Sequence, residues 1–307
     1  MKGKPMTTPF SSLQVIGVRY VGDRPAAGDE RALDAYIAAG VYDAAGVPVT
    51  VAEPRFPESA RTDDKETNLG LINGAIADAV AAARREDRAL LMTGGNCTHI
   101  TGILGGLQDA HGPELRVGLV WFDAHGDFNT PHTTITGSLG GMPVAVAAGL
   151  AFPRWREGSH IVAPLPTDRI VMVDVRNLDP AEDTLVRAVG IPVTAAADGF
   201  PGEPLGPAID ALVERCDAIY LHIDADILDE RYTPDHSTKE PNGPDMAQVL
   251  AAVERVMATG KVIAYAVVSV YAGGPNREID VASGKELVRG GLASWRRYGT
   301  PQLLQKN

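Results

Sequence analysis

The chain has 307 residues, 45% of them hydrophobic and 22% charged, which is the composition of a folded globular protein and not of a disordered, collagenous or coiled-coil one. Its 28 Lys and Arg against 39 Asp and Glu give a formal net charge of −11, so bulk charge favours neither nucleic acid nor an anionic membrane surface as a partner. Apolar stretches such as residues 142–152 are too short to span a bilayer, residues 1–9 do not read as a secretion signal, and two cysteines, Cys97 and Cys216, cannot build a disulfide framework; together these traits predict a cytoplasmic protein.

In chain order, the patterning predicts a strand over 15–18, a helix over 29–39, a strand over 47–52 and a helix over 67–84. Pro48 restricts the second of these strands to a sheet edge. Strands follow over 89–92 and 117–122, then a helix over 139–149, a strand over 170–173 and helices over 182–189 and 207–215. The last elements are a strand over 219–223, a helix over 245–257, a strand over 262–270 and a helix over 281–297. Several strands are apolar on consecutive residues, as strands covered on both faces are. Strand–helix alternation of this kind predicts a three-layer α/β/α fold with a mostly parallel central sheet. No repeat or linker divides the chain, so residues 1–307 read as a single domain. Residues 53–64 and 230–245, rich in Pro and acids, read as loops, with Arg231 the cation nearest the clusters described next.

The chemistry concentrates where apolar strands end. The strand over 117–122 runs into Asp123, His125 and Asp127, which share one side while the chain stays extended. The strand over 219–223 carries His222 and runs into Asp224 and Asp226, with Asp229 at the turn. Carboxylates so dense repel one another unless cations hold them. Their number exceeds what one ion takes from protein, so a pair of bridged ions fits better, and mixed oxygen and imidazole donors suit Mn²⁺. A third strand end gives Gly94-Gly95-Asn96-Cys97-Thr98-His99, in which the glycines permit a tight turn beside the site. Cys97 and His99 put a thiol and an imidazole at this turn. Cys216 reads as core.

These segments, with Thr136-Gly137-Ser138-Leu139-Gly140-Gly141-Met142-Pro143, resemble the ureohydrolase family of arginases, agmatinases, formimidoylglutamases and guanidino-acid hydrolases. The resemblance runs from about residue 15 to 297 and implies a binuclear manganese hydrolase of arginase-like fold that assembles as a homo-oligomer, often a trimer or hexamer. It implies one metal held by Cys97, Asp123, Asp127 and Asp224, and the other by His125, Asp123, Asp224 and Asp226. Asn129 and Thr136 match positions that take an amino acid's α-carboxylate, and Asp179 one that takes its α-amino group. The implied reaction is metal-assisted hydrolysis of a C–N bond in a guanidino substrate, with Asp127 and His125 at the reacting centre.

The sequence also departs from the family. Cys97 stands where a ligand His is usual, and its softer thiolate would admit Zn²⁺ or Fe²⁺, with His99 a ligand in its place or a donor behind it. Asn96 stands where an Asp is usual, and Gly140 where a proton-handling His is common, which leaves Asp127, His132 or water to protonate the leaving amine. After the last strand, Ser269 to Pro275 holds no acid to bind a guanidinium, and Glu278 is the nearest candidate. Cys97 together with Gly140 resembles the branch that hydrolyses Nω-hydroxyarginine. The alternatives are a ureohydrolase-fold protein that binds metal with little turnover, an agmatinase or formimidoylglutamase activity, and a binuclear phosphoesterase, which would need cations facing the site.

Overall fold

The strands form where the apolar runs lie. In the computed structural model, which describes residues 7–303, the strands of the central sheet are β1 (Leu13–Val18), β2 (Val49–Ala52), β3 (Ala89–Gly94), β4 (Val117–Phe122), β5 (Ile170–Val173), β6 (Val193–Thr194), β7 (Ala218–Asp224) and β8 (Val262–Val268). Residues 1–6 of the N-terminal segment read above lie outside the described residues. The eight strands form one sheet in the order β2-β1-β3-β8-β7-β4-β5-β6, and every pairing is parallel. The strand containing Pro48's neighbours, β2, sits at the edge as its proline requires. All residues of β1, β3, β4, β7 and β8 are buried.

Alternate residues of each strand feed two cores. Helices α1 (Leu33–Ala38), α7 (Leu205–Arg215), α8 (Met246–Met257) and α9 (Arg277–Tyr298) cover one face, through residues such as Tyr36, Leu212, Val253 and Leu292. Helices α2 (Lys65–Arg85), α3 (Ile100–His111), α4 (Pro143–Ala147) and α6 (Pro180–Ala188) cover the other, through Ile76, Ile103, Val144 and Val186. The result is a three-layer α/β/α fold. A short α5 (Pro153–Gly158) packs outside α2, and no helix among the described residues is long and apolar enough to cross a membrane.

Some elements differ from the sequence reading for identifiable reasons. The helix expected over 29–39 starts at Leu33, because Ala32 adopts φ 61° and the Asp29 carboxylate caps the turn by accepting from the N–H groups of Asp34 and Ala35. The helix expected over 139–149 divides into a 3-10 turn, Leu139–Gly141, and α4, which Pro143 starts at its first position. The strand expected to reach Val270 ends at Val268, since Ser269 turns away with φ 61°.

Helix α3 is absent from the sequence reading because Gly102, Gly105 and Gly106 depress its helical propensity. Packing explains them. A Cβ on Gly102 would come within 2.8 Å of Ile76 Cβ in α2, and one on Gly105 would overlap the carbonyl oxygen of Ser159. Asn73 of α2 secures the contact, donating to Thr98 O (3.1 Å) and accepting from Gly102 N (3.0 Å).

Candidate metal centre and substrate cleft

All eight strands of the central sheet run the same way, so their C-terminal ends lie at one edge, and four central neighbours, β3, β8, β7 and β4, deliver the polar residues there. Phe122 pairs with Ile223, Asp224 with Val268 and Val267 with Thr93. Asp123, Asp224, Ser269 and Cys97 therefore leave adjacent strand ends at nearly the same height. Asp127, Asp174 and Ser269 are non-glycine residues with φ of 48°, 60° and 61°, so three left-handed turns surround this edge. Such backbone is held by its surroundings and concentrates at functional sites.

The side chains converge. The Cys97 thiol donates to Asp224 Oδ2 at 2.8 Å and lies 3.6 Å from Asp123 Oδ2. His125 Nδ1 is 3.3 Å from Asp123 Oδ1 and 3.2 Å from Asp226 Oδ2. Asp127, Asp224 and Asp226 are buried at the same crevice, and all six residues line one cleft of about 710 Å³. Burial, with the charges of neighbouring aspartates, pushes Asp123 and Asp127 well above the usual carboxylate range. Burial also raises Asp224, but hydrogen bonds from His236, Cys97 and Ser269 outweigh it and hold this carboxyl below its ordinary value. Burial opposes a charge on His125, yet Asp123 and Asp226 lift it to about 12. A crevice that must otherwise protonate its own acids is chemically matched to divalent cations.

Asn129, Thr136 and Asp179 line the same cleft, with Asn129 Nδ2 donating to Asp179 Oδ2 at 3.2 Å. Asp179 also accepts from Ile135 N (3.1 Å), which fixes the wall. The other two candidates lie elsewhere. His132 is exposed, and Glu278 is exposed in the first turn of α9; neither lines the cleft. Arg231 is also exposed, paired with Asp229, whereas Arg31, which the sequence did not single out, lines the cleft.

Loop 230–245 supplies residues that sequence reasoning missed. His236 Nε2 stands 3.2 Å from Asp224 Oδ1, Thr238 donates to Asp226 Oδ2 at 2.9 Å, and Glu240 lies 3.5 Å from His125 Nε2. Ser269 donates to Asp224 Oδ2 at 2.5 Å. His222, two residues before Asp224 and so on the same side of the strand, lies 3.4 Å from the Cys97 sulfur and stacks on Trp121 at 4.2 Å. That spacing was a readable signal; nothing in the pattern of the loop announced His236.

His99 is no part of this cluster. Its Nδ1 accepts from Asn96 N (3.1 Å) and its Nε2 donates to Gly22 O (3.0 Å), an arrangement of the neutral ring. Burial lowers its pKa to about 4. Between pH 6.5 and 4 the unfolded chain takes up a proton that the folded ring refuses, so this group subtracts stability as pH falls through that window. Thermal melts at pH 7 and pH 4.5 should show a smaller acid-induced drop for His99→Gln than for the parent; equal drops would count against the assignment.

Comparison with known proteins is consistent with this architecture. A model of the Arginase family matches residues 24–288. Arginase from Bacillus caldovelox is 29% identical over 201 residues, 63% of this chain and 65% of that protein. N(omega)-hydroxy-L-arginine amidinohydrolase from Streptomyces lavendulae is 32% identical over 185 residues, 60% of this chain and 62% of its own length. In both, the match spans less than two thirds of the relative. The crystal structure of arginase from Bacillus cereus superposes with a TM-score of 0.77 at 23% identity, covering 92% of this chain and 98% of that one, a likeness of fold.

Proposed function

This chain belongs to the arginase family, and from that premise we propose that it is a hydrolase cleaving a C–N bond of a guanidino or amidino amino acid with the help of two divalent cations. The observation that carries the reading is the donor set. Four buried aspartates, the imidazoles of His125 and His236 and one thiol meet in a single crevice, more donors than one ion needs and too many acids to coexist without cations. One ion would take Cys97, Asp123, Asp127 and Asp224; the other would take His125, Asp123, Asp224 and Asp226. Mn²⁺ suits the oxygen and nitrogen donors, and the Cys97 sulfur extends the range to Zn²⁺ or Fe²⁺. When bound, such ions lower the pKa of water enough to make it a nucleophile near neutral pH and polarise the bond under attack.

The chain's own residues then have separable tasks. Asp127 orients the attacking water by accepting its hydrogen bond. Asn129 and Thr136 receive the substrate's α-carboxylate, and Asp179 its α-ammonium, so the amino-acid end is fixed on the wall that these residues form. The leaving amine gains its proton from Asp127 or from water, since His132 lies outside the cleft. Gly140 is free of any steric demand for glycine, for a Cβ there would meet only Ser138 Oγ at 3.3 Å. The missing side chain at that position is therefore a matter of chemistry. With Cys97, it favours Nω-hydroxyarginine over arginine as the substrate.

The test is elemental analysis of protein purified without chelator, paired with urea or hydroxyurea release from arginine, Nω-hydroxyarginine, agmatine and guanidinobutyrate in added Mn²⁺. The expected result is close to two metals per chain and turnover confined to the two α-amino compounds. Two metals with no turnover would favour a non-catalytic binding protein, which Gly140 and the acid-free segment after β8 would then explain. No metal uptake would overturn the donor set itself.

A further inference from the structure

One group on the cleft wall is out of place in a crevice built to hold cations. Arg31 lines it beside Cys97, Asp224, Ser269 and Tyr271. Its side chain is only 11% exposed, and the guanidinium stands 5.8 Å from the centre of the Tyr271 ring. Among the described residues its one charged neighbour within ion-pair distance is Glu30, at 3.3 Å, and that carboxylate is shared with Arg24 (3.3 Å) and the Ala27 N–H (2.9 Å). The Arg31 Nε–H is buried and has no hydrogen-bond partner among the described residues. Arginine cannot escape by losing its proton, so a buried donor of this kind asks for an acceptor.

The position limits what that acceptor can be. Arg31 sits on the turn that Ala32 forms ahead of α1, facing the segment that leaves β8. That segment brings the hydroxyls of Ser269 and Tyr271 to the cleft and no carboxylate of its own; the two carboxylates nearby, Glu30 and Asp235, are already engaged, the first by Arg24 and Arg31 and the second by Asn276. A guanidinium lodged here would meet a fixed like charge. An amidine carrying oxygen on its nitrogen differs in two respects that suit the wall. The electronegative oxygen makes the amidine a weaker base, and it provides a lone pair for a guanidinium donor to address.

We infer that Arg31 is a specificity-determining residue that receives the N-oxygen of an N-hydroxyamidine, so that the cleft selects N-oxygenated guanidines against guanidinium ions. This rests on the reading of the cleft as an amidine hydrolase. Arg31 takes no part in the bond cleavage; it sets which amidine is held beside Asp224.

The experiment measures kcat/KM for Nω-hydroxyarginine and for arginine in the Mn²⁺-loaded parent, Arg31→Leu and Arg31→Lys, with metal content and melting temperature recorded for each. The ratio of the two values should fall about tenfold or more in Arg31→Leu, as loss of a charged hydrogen-bond donor predicts, and recover in part in Arg31→Lys. Equal losses on both substrates would overturn the inference and leave the hydrolase reading standing. A parent that binds two metals yet turns over neither compound would overturn both. Should Arg31→Leu fail to fold, Arg31→Lys decides: an unchanged ratio overturns the inference, since an ammonium cannot reproduce the guanidinium's directed donor. Inhibition by inorganic phosphate that vanishes in Arg31→Leu, with the substrate ratio unmoved, would overturn it in favour of a phosphoryl ligand.

Discussion

Asp224→Asn should abolish metal-dependent turnover while leaving the fold intact. Asp224 is the acceptor on which the crevice closes: Oδ2 takes the Cys97 thiol and the Ser269 hydroxyl, and Oδ1 faces His236 Nε2 and the Asp226 N–H (3.1 Å). Asparagine matches its shape but carries no charge and presents one oxygen, so it cannot bridge two cations. Losing the Lewis-acid contribution of the pair removes several kcal/mol of transition-state stabilisation, on the order of 10³-fold or more in kcat/KM. Metal content should drop from near two per chain to one or none. The metal-free protein should still fold but melt lower, because both Asp224 oxygens accept hydrogen bonds and an amide turns its NH2 toward the donors at one of them. A variant that keeps two ions and activity within tenfold of the parent would rule out Asp224 as the bridging ligand.

Gly105→Ala should be the most damaging small substitution to stability. The added methyl collides with the backbone carbonyl of Ser159, an atom that no rotamer change can move, at the point where α3 meets the end of α5. Overpacking of this kind costs about 3 kcal/mol, which lowers the melting temperature by on the order of 6 °C in a chain of this size. Gly206→Ala is the matched control: that glycine lies in α7, its nearest neighbour to a new Cβ is Arg255 Nε at 3.8 Å, and alanine there should hold or raise stability by up to about 1 kcal/mol. Calorimetry of the two variants decides the matter, and a Gly105→Ala protein that melts with the parent would remove steric packing as the reason for the glycine.

The contrast between these glycines shows what a sequence can and cannot disclose. Burial on both faces writes itself into a strand as an uninterrupted apolar run, so β4 and β5 occupy the expected residues. In α3 the same demand for close packing is met by removing side chains, which erases the periodicity that would reveal a helix. The site divides along the same line. Asp123, His125 and Asp127, like Asp224 and Asp226, come from single strand ends, where alternation alone places them on one side. His236 and Arg31 reach the cleft from a long loop and from a left-handed turn, brought there only by the closing of the whole chain. Glu278 shows the reverse error: it lies near the right strand in sequence, but the first turn of α9 leaves it in solvent.

The Arg176 guanidinium ties the acidic loop to the sheet. It pairs with Asp174 at 2.6 Å and donates to the carbonyls of Ile227 (3.0 Å), Asp226 (3.1 Å) and Glu240 (3.2 Å). Loop 226–240 is thereby splinted to the end of β5. Ordering entropy that a floppy crevice would surrender at the moment of capture has already been spent in folding. Whatever the acidic pocket takes up therefore meets a loop already tied to the sheet, and less of the binding energy goes into ordering that loop.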